Sequence, residues 1–383
     1  MEYYKHDVIV IGAGPVGSYT AFLLARKGIN VGLFEKNETI GENVNCSGII
    51  SKECYDRFSL PERSVIRPVK KIKAYSPSGN YIQYNSEYPL AYIVDRSSFD
   101  KEINKRANNS GVTTYLGSKV KYIGNTQKSF CIRVVSKNSE EEFNSRVGII
   151  ATGFEFNNLF LNRTKFKDFL FGVQTEVDFE NNDNVEVFLG KNIAPGSFSW
   201  VIPSVKGYAK IGMLVKSRPV DCLKNFLNSH LISPRVKSWD GVMKCSPVPI
   251  KPIQKTYYER TLIVGEAAGQ VKATTGGGIY FGLICAEIAA QTVINSFKNN
   301  NFTEEYLKVY ENKWKKILST ELKAGLILRN IFSKLSDRQI DRLLDLAKRD
   351  GIMPIIKNSG FDWHKEIIYY MINHLMPKNI FKS

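Results

Sequence analysis

Val8-Ile9-Val10-Ile11-Gly12-Ala13-Gly14-Pro15-Val16-Gly17, with Val31-Gly32-Leu33-Phe34-Glu35 further on, is the stretch that decides the fold. The first four residues are an apolar run too short for a helix, and they read as a buried strand. A helical pattern runs from Pro15 to Arg26 and stops at Gly28. Residues 31–35 read as a second buried strand, so the segment is a βαβ unit. Gly12-x-Gly14-x-x-Gly17 sits at its turn, and each glycine has a physical task. Gly12 permits the tight turn, Gly14 lets the backbone approach a pyrophosphate, and Gly17 lets the helix pack on the strand. The helix N-terminus turns free N–H groups and a positive dipole end toward phosphate. Glu35 can accept from ribose hydroxyls, and its charge disfavours a 2′-phosphate. The chain carries one such fingerprint. A protein holding two dinucleotides in separate Rossmann domains needs two. The reading is therefore a resident FAD, with a nicotinamide donor bound transiently or another protein as donor.

Residues 69–75 and 81–84 flank Ser76-Pro77-Ser78-Gly79-Asn80 and read as a hairpin. Asp95 to Asn109 reads as a helix, and 112–115, 119–123, 130–135 and 147–151 read as strands. Residues 170–215 alternate β-branched and aromatic side chains, the pattern of an antiparallel sheet in a second domain. Leu262-Ile263-Val264 then returns to a second glycine motif, Gly265-Glu266-Ala267-Ala268-Gly269. Gly276-Gly277-Gly278 opens a long helix over 279–297, whose first N–H groups are left without partners in the helix. From Thr303 the pattern is helical. The expected fold class is α/β: a Rossmann-like FAD-binding domain with an inserted antiparallel β-sheet substrate domain and a C-terminal helical region. The FAD-binding domain takes 1–165 and 245–300, including the hairpin 69–85. The substrate sheet takes 166–244 and the helical region 301–383.

The chain has 383 residues, with 43% apolar and 23% charged side chains, which excludes disorder, collagen and coiled coil for the whole chain. Six cysteines without a CxxC pair exclude zinc ribbons and thioredoxin-type chemistry, and four histidines without ligand spacing point to no metal site. No run of 18 apolar residues occurs, and the N-terminal apolar run enters a glycine turn directly, so neither a membrane span nor a signal peptide is expected. The expected location is cytoplasmic. The net charge of +16 favours anionic partners. It is spread along the chain without a basic tail, and the partner expected is an anionic membrane surface rather than nucleic acid.

Four further segments complete a family pattern. They are Tyr92-Ile93-Val94-Asp95-Arg96-x-x-Phe99-Asp100, Ala151-Thr152-Gly153, the motif at Gly265–Gly269, and Gly276-Gly277-Gly278-Ile279. In this order, after Gly12–Gly17 and Glu35, they resemble the FAD enzymes of the para-hydroxybenzoate-hydroxylase fold. Asn45-Cys46-Ser47-Gly48 and Ser197-Phe198-Ser199-Trp200-Val201-Ile202-Pro203 narrow the resemblance to the geranylgeranyl reductase family, including the archaeal digeranylgeranylglycerophospholipid reductases. The second segment is similar to that family's Tyr-x-Trp-x-Phe-Pro motif, with Phe198 for its tyrosine and Ile202 for its second aromatic. Glu266 stands where the family has aspartate.

The resemblance implies an oxidoreductase that saturates isolated C=C bonds of geranylgeranyl lipids, using hydride from reduced flavin. It implies a peripheral attachment to membranes, and ferredoxin or NAD(P)H as electron donor. It places Gly12, Gly14, Val16, Gly17, Glu35, Cys46, Ser47, Gly48, Arg96, Val120, Gly153, Glu266, Gly278 and Ile279 around FAD, with Val120 meeting adenine through its backbone. Phe198, Trp200 and Pro203 would line the substrate pocket, and Cys46 would take part in catalysis. Cys285, on the helix after the triple glycine, is a second thiol that can approach the site. Two rivals share the fold class. An aromatic monooxygenase or halogenase uses the same glycine motifs, though a halogenase pattern would show two tryptophans where only Trp200 stands. A prenyl-lipid escort protein would bind lipid without a reducible flavin.

Overall fold

The computed structural model describes residues 4–137, 139–154, 168–180, 183–205, 207–349 and 360–375. Val8–Ile11 is buried at all four positions. A strand without polar alternation needs both faces covered. It pairs in parallel with Val31–Phe34 on one side and Val147–Ile150 on the other. Thr113–Tyr115 and Thr261–Ile263 extend the parallel sheet, and antiparallel Tyr257–Tyr258 ends it at six strands. Val8 and Val10 face the helices and cluster with Leu24 and Phe281. Ile9 and Ile11 face the other way, onto Phe130, Ile132 and Phe143. Those three belong to an antiparallel sheet of Lys119–Asn125, Phe130–Val135 and Glu140–Ser145. Its third strand was not anticipated. Glu-Glu-Glu-Phe-Asn-Ser is polar apart from Phe143, and Phe143 and Ser145 alternate inward.

Helices Pro15–Ala25 and Ile279–Lys298 cover the first face. By length and composition the second could cross a membrane, but 67% of its apolar stretch is buried within the protein. It is a core helix. Helix Glu304–Phe332 begins at Thr303, whose side chain accepts from the Tyr306 N–H. Leu307, Tyr310, Trp314 and Leu318 join the same core as Val8. The first part of the expected helical region is thus built into the nucleotide-binding unit. Only beyond Ile331 does a small separate cluster form, with Leu335, Ile340 and Leu343.

Phe169–Phe179, Tyr208–Val215, Phe198–Pro203 and Val185–Leu189 pair in that order within an eight-stranded sheet. Val236–Ser238 and Lys244–Pro249 both pair with Phe169–Phe179. The hairpin expected in the FAD-binding domain lies here instead. Lys71–Tyr75 pairs in parallel with Val185–Leu189, and Tyr81–Asn85 follows it. Without the hairpin Val185–Leu189 would be an open edge, and Tyr75 stacks on Phe188 at a centroid distance of 4.7 Å. The expected boundary at 165/166 lies outside the described residues. A further sheet of Ile49–Ser51, Ala91–Val94 and Val65–Val69 stands between the two large ones.

The first glycine turn and the second meet through Val16. A Cβ on Gly282 would stand 2.5 Å from Val16 Cγ2, and one on Gly265 would stand 3.0 Å from Cγ1. Alanine at 282 raises helix propensity by up to ~1 kcal/mol, but the β-branched Val16 has little room to yield, and overpacking costs about 1–3 kcal/mol. Gly282→Ala should lower stability in denaturant unfolding, and adding Val16→Ala should restore most of the loss.

Candidate functional site

Gly12 has φ +98°, and a Cβ there would stand 2.5 Å from the Ala151 carbonyl oxygen. A Cβ on Gly17 would overlap the Gly12 carbonyl. These two glycines are required by the protein itself. Gly14 is different. Its φ of −66° and ψ of −179° suit any residue, and a Cβ there meets no atom within 4 Å. The space before the Pro15–Ala25 helix is open, at the place where a pyrophosphate would meet the helix N-terminus. Glu35 closes one side. Its Oε2 accepts from the Ala13 N–H and its Oε1 from the Asn37 N–H, both at 3.0 Å. Each carboxylate oxygen keeps a further lone pair for a ribose hydroxyl. Thr152 Oγ1, in the turn after Val147–Ile150, is buried without a partner. An open cradle at a helix end, a carboxylate with spare acceptors and an orphaned hydroxyl together fit FAD. Val120 pairs with Val134 and sends its side chain into the core with Ile11 and Phe34, leaving only its backbone for a ligand.

A buried polar cluster continues from the cradle. Gly153 has φ +64°, and its Cβ would lie 4.0 Å from Glu266 Oε1. Glu266 keeps some accessible surface but is crowded by protein, and burial pushes its carboxyl up to about 7, against the pull of Arg96 and the Phe154 backbone. Arg96 opens helix Arg96–Asn108 and donates from Nε and Nη2 to Asp100 one turn on, at 3.0–3.1 Å. Burial alone would lower Arg96; Asp100 and the Cys46 thiol outweigh it and hold the guanidinium charged. Its Nε and Nη2 are thus directed to Asp100, and Cys46 and Glu266 are near enough to act on its charge.

Cys46, half-buried, belongs to a segment that ties the nucleotide-binding unit to the eight-stranded sheet. Asn45 Nδ2 donates to the Gly172 carbonyl at 2.9 Å and to Ser246 Oγ at 2.8 Å. Gln174 Nε2 donates to the Cys46 carbonyl at 3.1 Å. The half-buried Ser47 leads to Gly48, whose N–H points to Cys46 Sγ at 3.4 Å. Gly48 has φ +82°, and a Cβ there would stand 2.6 Å from the Val94 carbonyl oxygen. A cleft of about 330 Å³ opens beside Cys46 and Arg96, with Gln174, Lys210 and Lys244 across it.

The sheet face opposite carries the aromatic segment. Phe198, Trp200 and Ile202 alternate to one face, and Trp200 packs with Ile202 and Ile93. Lys244, Gln174, Gly212 and Trp200 stand in one row across four strands. The missing side chain of Gly212 admits the indole, since a Cβ there would be 2.5 Å from Trp200 Cζ2. Phe198 lies 5.8 Å from Trp200 between centroids. Pro203 corrects the expected set. It is out of step with Trp200 by an odd number of residues, so the pleat turns it to the opposite face, where it is buried opposite Ala209. Cys285 is corrected too. It is fully buried in the helical core, and burial pushes its thiol well above the usual range.

The triple glycine forms the remaining wall. The Gly276 N–H donates to the Lys272 carbonyl at 2.8 Å, and the Lys272 N–H to the Gly277 carbonyl at 3.1 Å. Gly276 has φ +73°, and its Cβ would reach Leu214 of the large sheet at 3.3 Å. Gly278 precedes helix Ile279–Lys298, and Gly276 to Ile279 all retain accessible surface. Asp100, Gln174, Lys272 and Asp362 were not named from sequence as site residues. Asp100 alone left a signal, standing four residues after Arg96 on a helix.

Gly14→Val should fold with wild-type stability, because no protein atom contests the space, and should purify without flavin absorbance. A flavin-bound Gly14→Val protein would remove the cradle assignment. Glu266 gives a pH test. Its folded pKa lies above the usual carboxylate value, so its contribution is full below about pH 4.5 and is lost as pH rises through about 7. In the flavin-free protein, Glu266→Gln should gain on wild type across that window, by at most ~3 kcal/mol. Parallel pH–stability curves would contradict the buried carboxyl.

Residues 6–178 match the family model described as pyridine nucleotide-disulphide oxidoreductase. The chain is 32% identical to the digeranylgeranylglycerophospholipid reductase of Methanocaldococcus jannaschii over 91% of this chain and 92% of that one. It is 29% identical to the Methanococcus aeolicus enzyme of the same name, over 89% and 90%. Among solved structures, a geranylgeranyl bacteriochlorophyll reductase-like protein from Thermoplasma acidophilum superimposes with a TM-score of 0.85 at 22% identity, covering 96% and 98% of the two chains. A flavin-dependent brominase superimposes with a TM-score of 0.72 at 17% identity, over 97% and 98%. The fold is thus common to reductases and halogenating enzymes, while the near full-length sequence likeness is to the reductases. The chain belongs to the digeranylgeranylglycerophospholipid reductase family.

Proposed function

We propose that this chain is an FAD-dependent reductase that saturates isoprenoid C=C bonds of digeranylgeranylglycerophospholipids. The observation that carries the reading is the 32% identity to a named reductase along 91% of the chain. The monooxygenase and halogenase readings rest on the fold alone.

FAD, when bound and reduced, supplies the hydride equivalent. The chain's own residues supply the rest. Gly14 and the open helix end receive the pyrophosphate, and Glu35 orients the ribose. Glu266, with its carboxyl near neutrality, can donate as well as accept a hydrogen bond at the ribitol. Gly277 to Ile279 would line the pyrimidine edge, with Gly278 and Ile279 at the helix N-terminus offering backbone N–H groups, and Cys46 to Gly48 would border the same space. An isolated trisubstituted alkene is electron-rich, so reduction needs a proton on one carbon and tolerance of positive charge on the other. Phe198 and Trp200 give that charge aromatic faces, worth about 0.5–2 kcal/mol, on a wall that excludes water. Cys46 stands beside the charged Arg96 at the mouth of the cleft, and we assign its Sγ a part in moving the proton. The net charge of +16 supports collection of the lipid from an anionic membrane surface by peripheral contact.

The decisive assay is anaerobic. Dithionite-reduced protein with geranylgeranyl-glycerol phosphate lipids should give products that gain two hydrogens per reduced bond by mass spectrometry. Oxygen consumption driven by NADPH with a small aromatic compound, and no lipid product, would transfer the protein to the monooxygenases. Trp200→Ala should keep FAD and slow lipid reduction about 2- to 30-fold. Cys46→Ser should also keep FAD and reduce turnover; an unchanged rate would leave Cys46 as packing. Flotation should favour anionic over neutral liposomes.

A further inference from the structure

Lys272 lies in the loop that closes on the triple glycine, and its side chain is 8% exposed. A Cβ on Gly277 would stand 2.9 Å from Lys272 Cε and 3.4 Å from Nζ. The ammonium therefore sits against the backbone to which we assign the flavin pyrimidine edge. It forms an ion pair with Asp362, which is 3% exposed and whose Oδ2 has no partner. Asp362 arrives on a segment of the chain ninety residues away, and that segment is pinned on both sides. Trp363 Nε1 donates to Glu53 Oε1 at 3.1 Å, and Tyr280 donates to the same carboxylate. Thr274 Oγ1 and His364 Nδ1 share a hydrogen bond at 2.9 Å. The His364 N–H donates to Glu321 at 2.6 Å. Arg329 donates to the Ala273 and Thr274 carbonyls of the same loop. The charged groups around this segment include Glu321, Glu53 and Arg329, with Lys365 beside Glu321 and Arg57 beside Tyr280. Burial, with Lys272 adding to it, lowers His364 to about 4, so it adds no charge near neutrality.

We propose that Lys272 is a positioning residue that tunes the redox balance of bound FAD, with Asp362 setting how much of its charge the flavin feels. The inference rests on the proposed FAD site. Two-electron reduction places negative charge on the pyrimidine ring. A cation held beside that ring stabilises the reduced form, and more so in a dry site where charges are poorly screened. Asp362 pairs with that ammonium, stands farther from Gly277 than it does, and opposes the effect. A lysine in a flavin loop, neutralised by a carboxylate from the C-terminal segment, links the order of that segment to the driving force at the flavin.

The test is the reduction potential of the FAD-loaded protein, read against a reference dye, with FAD retention and thermal stability measured in parallel. Asp362→Asn keeps the shape and an oxygen toward Lys272 but removes the opposing charge. It should displace the dye equilibrium about tenfold toward reduced flavin, about 30 mV for a two-electron couple. The double variant Lys272→Gln/Asp362→Asn removes both charges and leaves no buried unpaired ion. It should displace the equilibrium toward oxidised flavin relative to wild type. Opposite signs support the proposal, because a purely structural loosening would move both variants the same way. Unchanged potentials, or shifts of the same sign, overturn it. Should the double variant not fold, Asp362→Asn alone decides by its sign. Wild-type protein that takes up no FAD would sink the proposed function and this inference together, whereas FAD-bound variants with wild-type potentials would sink only the inference.

Discussion

No side chain can stand between Gly12 and Ala151, or between Gly17 and Gly12, and the rest of the site depends on those two approaches. They press the first turn onto the end of Val147–Ile150 and bring the helix N-terminus over the gap between two central strands. Val16, one residue inside that helix, then locks against Gly265 and Gly282. Three segments far apart in the chain thereby meet around one open space. The protein leaves Gly14 without a neighbour there, although Gly12 and Gly17 beside it are crowded.

The second organising feature is the tie between the nucleotide-binding unit and the eight-stranded sheet. Asn45 and Gln174 cross-link the segment at Cys46 to strands Phe169–Phe179 and Lys244–Pro249. Gly276 meets Leu214 of the same sheet from the other side. The face carrying Trp200 is thus held opposite the cradle by polar contacts at one edge and an apolar contact at the other. Two polar atoms left without partners, Gln174 Oε1 and Trp200 Nε1, are an acceptor and a donor on the same row, with only Gly212 between their residues.

The nucleotide-binding fold was legible in the sequence because its signals are local. The apolar run at Val8–Ile11, the spacing of Gly12, Gly14 and Gly17, and Glu35 after the next strand all fall within one supersecondary unit. Trp200 and Phe198 were legible as a pair because strand alternation is also local. Pro203 violated that same alternation, and attention to the pleat would have removed it. What was not legible is long-range pairing. Nothing in residues 71–85 announces a parallel partner at Val185–Leu189, and the even mix of Ile, Tyr and Lys suits an edge in either domain. Lys272 and Asp362 were invisible for a similar reason. A charged residue in sequence reads as surface, and only the fold shows it buried against a partner ninety residues away. Gln174 reads as an ordinary strand residue until its register with Trp200 is known.

The parallel pairing of Lys71–Tyr75 with Val185–Leu189 also sets an order of assembly on the ribosome. Lys71–Tyr75 is synthesised about a hundred residues before its partner strand. At ordinary rates of synthesis that interval is on the order of ten seconds. During it, Lys71–Tyr75 is an unpaired edge carrying Tyr75, whose eventual stacking partner, Phe188, has not been made. The lysines at 70, 71 and 73 flank and punctuate that edge, and charge of this kind discourages pairing with other nascent chains. The basic character of this hairpin can therefore protect a waiting strand, apart from any part it plays in the finished protein.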